Sequence, residues 1–76
     1  MDTTYEDQRR LLDVCMFNSV ADIAWMKDKG CLEELLNYQY DMMKGMITAG
    51  LFMNVVSVEE FTAIRDEICR WQYGSL

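Results

Sequence analysis

The sequence predicts an all-α fold, a small domain of three helices or, on a second division of the chain, four. There is no proline and there are only four glycines in 76 residues, so the chain has few helix breakers. Apolar residues recur every three or four positions along most of the chain, and no segment alternates apolar with polar residues as a strand would. We therefore expect a single helical domain over residues 1–76, with helices at about 4–29, 32–49 and 58–72.

The first helix is expected to begin near Thr3 or Thr4. Thr3 and Glu6 have the spacing of a capping box, in which a hydroxyl and a carboxylate satisfy backbone donors at the helix start. Gly30 follows the expected helix, and glycine is common just beyond a helix end. The predicted core-facing stripe of this helix consists of Tyr5, Leu12, Met16, Val20, Ile23 and Met26.

An alternative reading divides this segment at Asn18 and Ser19, where Ser19 and Asp22 could cap a second helix. We favour one continuous helix because the stripe keeps its spacing across the possible break. The side opposite the stripe is also apolar, with Leu11, Val14, Phe17, Ala24 and Trp25. A domain of three helices can rarely bury a helix that is apolar nearly all round, so we expect a homodimer or larger homo-oligomer.

The second helix is expected to end at Ala49, before Gly50. Gly45 lies inside this helix and predicts either a kink or a close approach of another helix. The residues expected on its core-facing side are Leu32, Leu35, Leu36, Gln39, Met43, Met46 and Ile47. The apolar segment 51–56 should then form a packed connector.

The third helix gives the clearest local signal. Ser57 and Glu60 form a second possible capping box. The apolar residues expected in the core are Phe61, Ile64, Ile68 and Trp71, which share one narrow stripe.

The composition disfavours an enzyme. Without histidine the chain lacks the side chain most often used in acid–base catalysis and metal binding. Cys15, Cys31 and Cys69 include no Cys-x-x-Cys pair, so we predict no catalytic residues, metal site or cofactor and interpret the cysteines as thiols in a reducing cytoplasm.

The net charge of −6 would repel phosphates, so we expect no direct binding to nucleic acid. The acidic N-terminus does not resemble an export signal. The longest uncharged run, Gly45 to Val58, is shorter than the roughly 20 residues of a membrane-spanning helix, so we also expect no membrane association.

Two groups of side chains suggest a surface that binds another protein. Seven methionines are many for this length, and they indicate either an adaptable apolar groove or ordinary core filling. Aromatic side chains are common at interface hot spots. The predicted partner-binding residues are Val14, Phe17, Trp25, Tyr38 and Tyr40.

The C-terminal part of the chain resembles the SHOCT-like short C-terminal helical hairpins. The resemblance lies in residues 49–51 and in the stretch Ser57-Val58-Glu59-Glu60-Phe61, followed by Ile64 and Ile68. In that family a helix ends at a glycine–hydrophobic step, and a Ser/Thr-x-Glu-Glu-aromatic cap begins the next helix. The chain departs from the family turn by the insertion of residues 52–56. The resemblance covers about the last 30 residues and implies a non-enzymatic module of bacterial conjugative elements or prophages.

The sequence thus predicts a protein–protein interaction module, an adaptor or inhibitor from a bacterial or phage mobile element. The alternative is an acidic DNA mimic, such as an anti-defence (anti-CRISPR-like) inhibitor, whose carboxylates imitate phosphates. The interspersed lysines and arginines argue against that alternative, because a mimic would gather its acids on one face.

Overall fold

The structure is a computed structural model that describes residues 3–74, with the backbone alone at Thr3. It contains three helices, α1 (Thr3–Lys29), α2 (Glu33–Phe52) and α3 (Val58–Tyr73). The predicted all-α class is therefore confirmed. Helix α1 continues without a break through Asn18 and Ser19, so the reading with one long helix is confirmed as well. The capping box expected at Thr3 depends on a side chain outside the described part.

Helix α2 lies in the middle, and both α1 and α3 pack on it. No Cα atom of α1 lies within 8 Å of one in α3 among the described residues. The Cα positions extend over 45 × 24 × 14 Å, so the domain is long and flat. This arrangement leaves an outer side of α2 and the whole far side of α1 without a neighbouring helix.

The core forms where α1 and α3 meet α2. Ile47 and Ile68 are fully buried, and Met43 is 1% exposed. Phe61 and Ile64 pack against this core and are partly buried, as predicted, whereas Trp71 is 44% exposed. The buried cluster consists of Ile23, Tyr40, Met43, Ile47 and Ile68.

Most residues of the predicted core stripes are buried or partly buried, but several are exposed. On α1, Tyr5 and Val20 are exposed, while the polar Ser19 is buried. On α2, Leu32 and Leu35 are exposed, because α1 and α3 cover only one side of that helix. The buried face of α2 carries Met43 and Ile47, as predicted, together with Tyr40 and Gly50.

Both helix-to-helix turns use a left-handed residue to close the preceding helix. Gly30 (φ 68°) follows α1, and the Cys31 N–H donates to the Met26 carbonyl at 3.0 Å. Asn54 (φ 62°) follows α2, and the Val55 N–H donates to the Gly50 carbonyl at 3.0 Å. Both have the Schellman pattern, in which the bond returns to the last helical turn and satisfies its carbonyls.

The prediction that α2 ends at Ala49 was wrong, because the helix continues to Phe52. Gly50 has another role: a Cβ atom there would lie 2.9 Å from Leu12 Cδ2 and 2.8 Å from Val56 Cγ2. The glycine thus lets α1 and the α2–α3 turn approach the α2 backbone closely. A close approach was predicted at Gly45, where a Cβ would meet nothing within 4 Å.

Candidate partner-binding surface

The structure does not bring the five predicted partner-binding residues together. Val14, Phe17 and Trp25 lie on the far side of α1 and are 50%, 73% and 60% exposed. Tyr38 is 64% exposed on the outer side of α2. Tyr40 is only 3% exposed and belongs to the core.

The prediction that Tyr40 belongs to a partner-binding surface was therefore wrong. Residues two positions apart in a helix point about 200° away from each other, so Tyr38 and Tyr40 cannot share a face. The Tyr40 ring lies 5.8 Å from the Lys27 ammonium nitrogen. Its hydroxyl is buried and has no hydrogen-bond partner among the described residues.

An open groove of about 210 Å³ separates α1 from the C-terminal half of α2. Its lining is almost wholly apolar, so it can bind an apolar surface and offers very few groups for hydrogen bonding. The main lining residues are Leu11, Cys15, Met46, Ala49, Met53 and Val55. None of them was among the predicted site residues.

The groove continues into a row of exposed residues along α2, which we name the α2 strip. Its members follow one another at alternating steps of three and four, the spacing of one helix face. They are Leu35, Tyr38, Met42, Gly45, Ala49 and Phe52. Tyr38 and Phe52 are 64% and 80% exposed, and Ala49 also lines the groove. The sequence shows this periodicity, but the buried face of the same helix has an apolar periodicity too. The sequence alone therefore does not show which of the two faces is exposed.

The methionines divide between the two roles that the sequence left open. Met43 is core, whereas Met42 is 42% exposed on the α2 strip and Met53 is 52% exposed at the groove. Met46 is partly buried, packs against the core and also lines the groove. Unbranched thioether side chains can adjust to the shape of a bound surface, so those at the groove suit partner binding.

Carboxylates border this apolar surface. Asp22 lies on the side of α1 that carries Leu11 and Cys15, at helical spacing from both. Glu34 and Asp41 lie on α2 beside the strip, and Lys44 Nζ is 3.2 Å from Asp41 Oδ1. Asp22 and Glu34 therefore place negative charge beside the apolar surface, whereas Asp41 is paired with Lys44.

An ion pair holds α1 in place at one end of the groove. Arg9 donates to both carboxylate oxygens of Glu60 at 2.6 Å and to the Val55 carbonyl at 2.9 Å. Arg9 Nε also donates to Asp13 Oδ1 at 3.1 Å. These bonds connect α1 to α3 and to the turn that closes the groove. Bidentate pairing of this kind fixes orientation as well as distance.

The same contacts set the ionisation of the pair. The hydrogen bonds donated by Arg9 hold the pKa of Glu60 below its usual range, against a smaller opposing effect of burial. The bonds to Glu60 also raise the pKa of the Arg9 guanidinium. Glu60 thus fills only half of the predicted capping box: Ser57 Oγ accepts from the Glu60 N–H at 3.1 Å, but the carboxylate pairs with Arg9.

The described residues contain no group of three or more cysteine, aspartate or glutamate side chains placed to hold a metal ion. Within residues 3–74, no helix has the length and apolar character that crossing a membrane requires. Comparison with known proteins found no matching family model, no similar curated protein and no similar solved structure.

Proposed function

We propose that the protein is a homodimeric, non-enzymatic interaction module that holds a helix of a partner protein on the α2 strip and the adjoining groove. The observation that carries the proposal is the apolar surface made by the groove, Tyr38, Met42 and Phe52, which no part of residues 3–74 covers. Large exposed apolar patches on small proteins commonly mark interaction sites.

The shape and charge of the surface indicate the chemistry of this partner. A 3.5-residue repeat on α2 suits another helix, because two helices pack along such a seam by inserting side chains between each other. Gly45 and Ala49 lie in the middle of the strip and allow a close approach. The carboxylates of Asp22 and Glu34 at the margins favour lysine or arginine beside the partner's apolar face.

Such a module would act as an adaptor or an inhibitor by occupying the partner's helix. The free thiols of Cys15, Cys31 and Cys69 suit a reducing cytoplasm. The resemblance of the C-terminal segment to SHOCT-like hairpins supports an origin in bacterial or phage mobile elements. The DNA-mimic alternative is less well supported, because the bidentate contact with Arg9 neutralises Glu60, and Lys44 lies close to Asp41.

The test is a comparison of tagged variants in lysate of the cells that make the protein, followed by binding measurements with the purified partner. We expect a protein to be retained by the wild type and lost from Tyr38→Glu and Phe52→Glu. Val58→Glu is the matched control, because Val58 is 63% exposed and belongs to α3, not to the strip. Circular dichroism of each variant checks that the helices remain.

The salt dependence of partner binding distinguishes the proposed module from the acidic mimic. An apolar contact should survive about 1 M salt, where the Debye length is only about 3 Å. The proposed module would be contradicted if the partner is released at that salt concentration and still binds Tyr38→Glu and Phe52→Glu at low salt. That result would support the acidic mimic.

A further inference from the structure

The far side of α1 carries a second seam, distinct from the α2 strip. Six residues follow one another at steps of four, three, four, three and four, and all six are exposed. We name this set the α1 seam: Arg10, Val14, Phe17, Ala21, Ala24 and Asp28. This is the heptad spacing that places side chains along the contact line of two supercoiled helices.

We propose that the α1 seam is the homodimer interface, on which α1 of a second copy packs antiparallel with the two-fold axis near Ser19. This inference rests on the homodimer in the proposed function and adds the surface, direction and alignment of its two copies. A closed two-fold contact uses the same patch on both chains, so every pairing below occurs twice.

Size and charge along the seam select the antiparallel direction. With the axis near Ser19, Phe17 faces the partner's Ala21 and Val14 faces the partner's Ala24, so a large side chain meets a small one in each layer. At both ends of the seam Arg10 meets the partner's Asp28, which pairs opposite charges. A parallel pair would instead place Arg10 beside the partner's Arg10 and leave alanine opposite alanine.

The residues beside the seam follow the same symmetry. On one flank Leu11, which lies between the seam and the groove and lines both, lies near the partner's Trp25; the two are 65% and 60% exposed in the single chain. On the other flank Asp13 lies near the partner's Lys27. Asp13 also pairs with Arg9, and Lys27 also lies over the Tyr40 ring, so this flank adds little to the dimer.

The apolar area along the seam lies at the lower end of what a specific dimer buries. The seam from Arg10 to Asp28 is about 27 Å long at 1.5 Å per residue. Aromatic side chains have about 150–250 Å² of surface each, so Phe17, Trp25 and the neighbouring aliphatic side chains expose on the order of 500 Å² per chain. Two such surfaces together reach about 1,000 Å², the lower limit for a specific interface, and the polar residues of the seam add to it.

The first experiment measures mass by analytical ultracentrifugation over a dilution series. The wild type should sediment at twice the 8.9 kDa chain mass and dissociate on dilution. Phe17→Glu should weaken the dimer by more than about 100-fold, because it places two carboxylates in the centre of the contact. Val58→Glu and Tyr38→Glu should leave the dimer unchanged. A wild type that is monomeric at all concentrations, or a Phe17→Glu variant that remains dimeric, would overturn the interface.

The second experiment tests direction and alignment by exchanging charges. Arg10→Glu and Asp28→Arg should each weaken the dimer by about tenfold, since each puts like charges together at both ends. The double variant should recover affinity to within about threefold of the wild type, because the pair is restored in reverse. A double variant no better than the singles would overturn the antiparallel alignment, even with a dimer that Phe17→Glu dissociates. Loss of the α2-strip partner from Tyr38→Glu is measured separately and does not depend on either result.

Discussion

Helices α1 and α3 both pack on α2, but the fold accounts for their sequences to different extents. The inward face of α3 carries Phe61, Ile64 and the fully buried Ile68, and its outward face carries charged and small residues such as Glu59, Ala63 and Asp66. The apolar side chains in the middle of α3 are thus explained by burial within the chain, whereas Val58, Trp71 and Tyr73 towards its two ends are exposed.

Helix α1 buries Ile23 and partly buries Leu12 and Met16, yet it exposes Phe17 and Trp25 on the other side. A free surface rarely carries several large apolar side chains in a row, because each forfeits the free energy of leaving water. Folding alone therefore accounts for the middle of α3, whereas the exposed face of α1 is accounted for only if the dimer proposed above forms. Substitutions on the two helices should therefore affect different measurements.

The largest effect expected on folding is at the inner face of α3. Ile68→Ala should lower the free energy of unfolding by about 2–5 kcal/mol, through lost burial and the cavity that remains. Phe17→Ala removes a larger side chain, but from a site that is 73% exposed, so its cost in dilute solution should stay within about 0.5 kcal/mol. Denaturant titration of both variants at low protein concentration provides the measurement. Equal losses for the two would contradict the distinction between the helices.

The sequence predicted the type and number of the elements because that information is local. Helical spacing, the Ser57 cap and Gly30 each act within a few residues, and all three agree with the structure. The partner surface was harder to predict, since α2 is apolar on both sides and only tertiary packing decides which side is covered. Tyr40 was therefore assigned to the surface, and Leu35 to the core, when the structure places them the other way round.

The role of Gly50 likewise depended on tertiary contacts. A glycine near a helix end is usually a terminator, and nothing local shows that Leu12 and Val56 crowd this position. Asn54 takes the left-handed conformation instead, four residues later. Asparagine tolerates that conformation better than most residues, but it signals a helix end less strongly than glycine.

The second prediction compares these two helical glycines and tests the inner face of α1. Gly50→Ala should cost about 1–3 kcal/mol, because the new methyl group would overlap Leu12 and the stiff side chain of Val56. Gly45→Ala should instead stabilise the protein by about 1 kcal/mol, since alanine favours the helix and meets nothing nearby. Thermal unfolding of the two variants checks the opposite signs. Stabilisation by both would mean that α1 does not approach α2 as closely as described.

The third prediction concerns the start of α3. Ser57→Ala should lower the free energy of unfolding by about 0.5–2 kcal/mol, because the Glu60 N–H would lose its bond to the serine hydroxyl. Ser57→Asp restores an acceptor at the same place and should recover most of the loss, with added help from negative charge at a helix start. A Ser57→Asp variant as unstable as Ser57→Ala would show that the cap does not contribute through this bond.

The smallest effect expected is at the ion pair that links the two compared helices, and pH reveals it. The folded-state pKa of Glu60 is lowered from its ordinary value of 4.5, mainly by the bonds from Arg9. Its contribution to stability is therefore complete above the unfolded-state pKa and is lost as the pH falls through the lower, folded-state value. Because the Glu60 side chain is 37% exposed, solvent screening limits that contribution to at most about 1 kcal/mol.

The corresponding experiment measures the free energy of unfolding between pH 7 and pH 3 for the wild type, Glu60→Gln, Arg9→Gln and the double variant. The wild type should lose more stability below about pH 5 than Glu60→Gln, whose amide does not titrate. Arg9→Gln and the double variant should show the same pH dependence, because Glu60 has then lost its partner. Arg9→Gln should also lower stability at every pH, since the guanidinium donates to the Val55 carbonyl at 2.9 Å. A wild type and Glu60→Gln with parallel pH curves would show that α1 and α3 are held together only through α2.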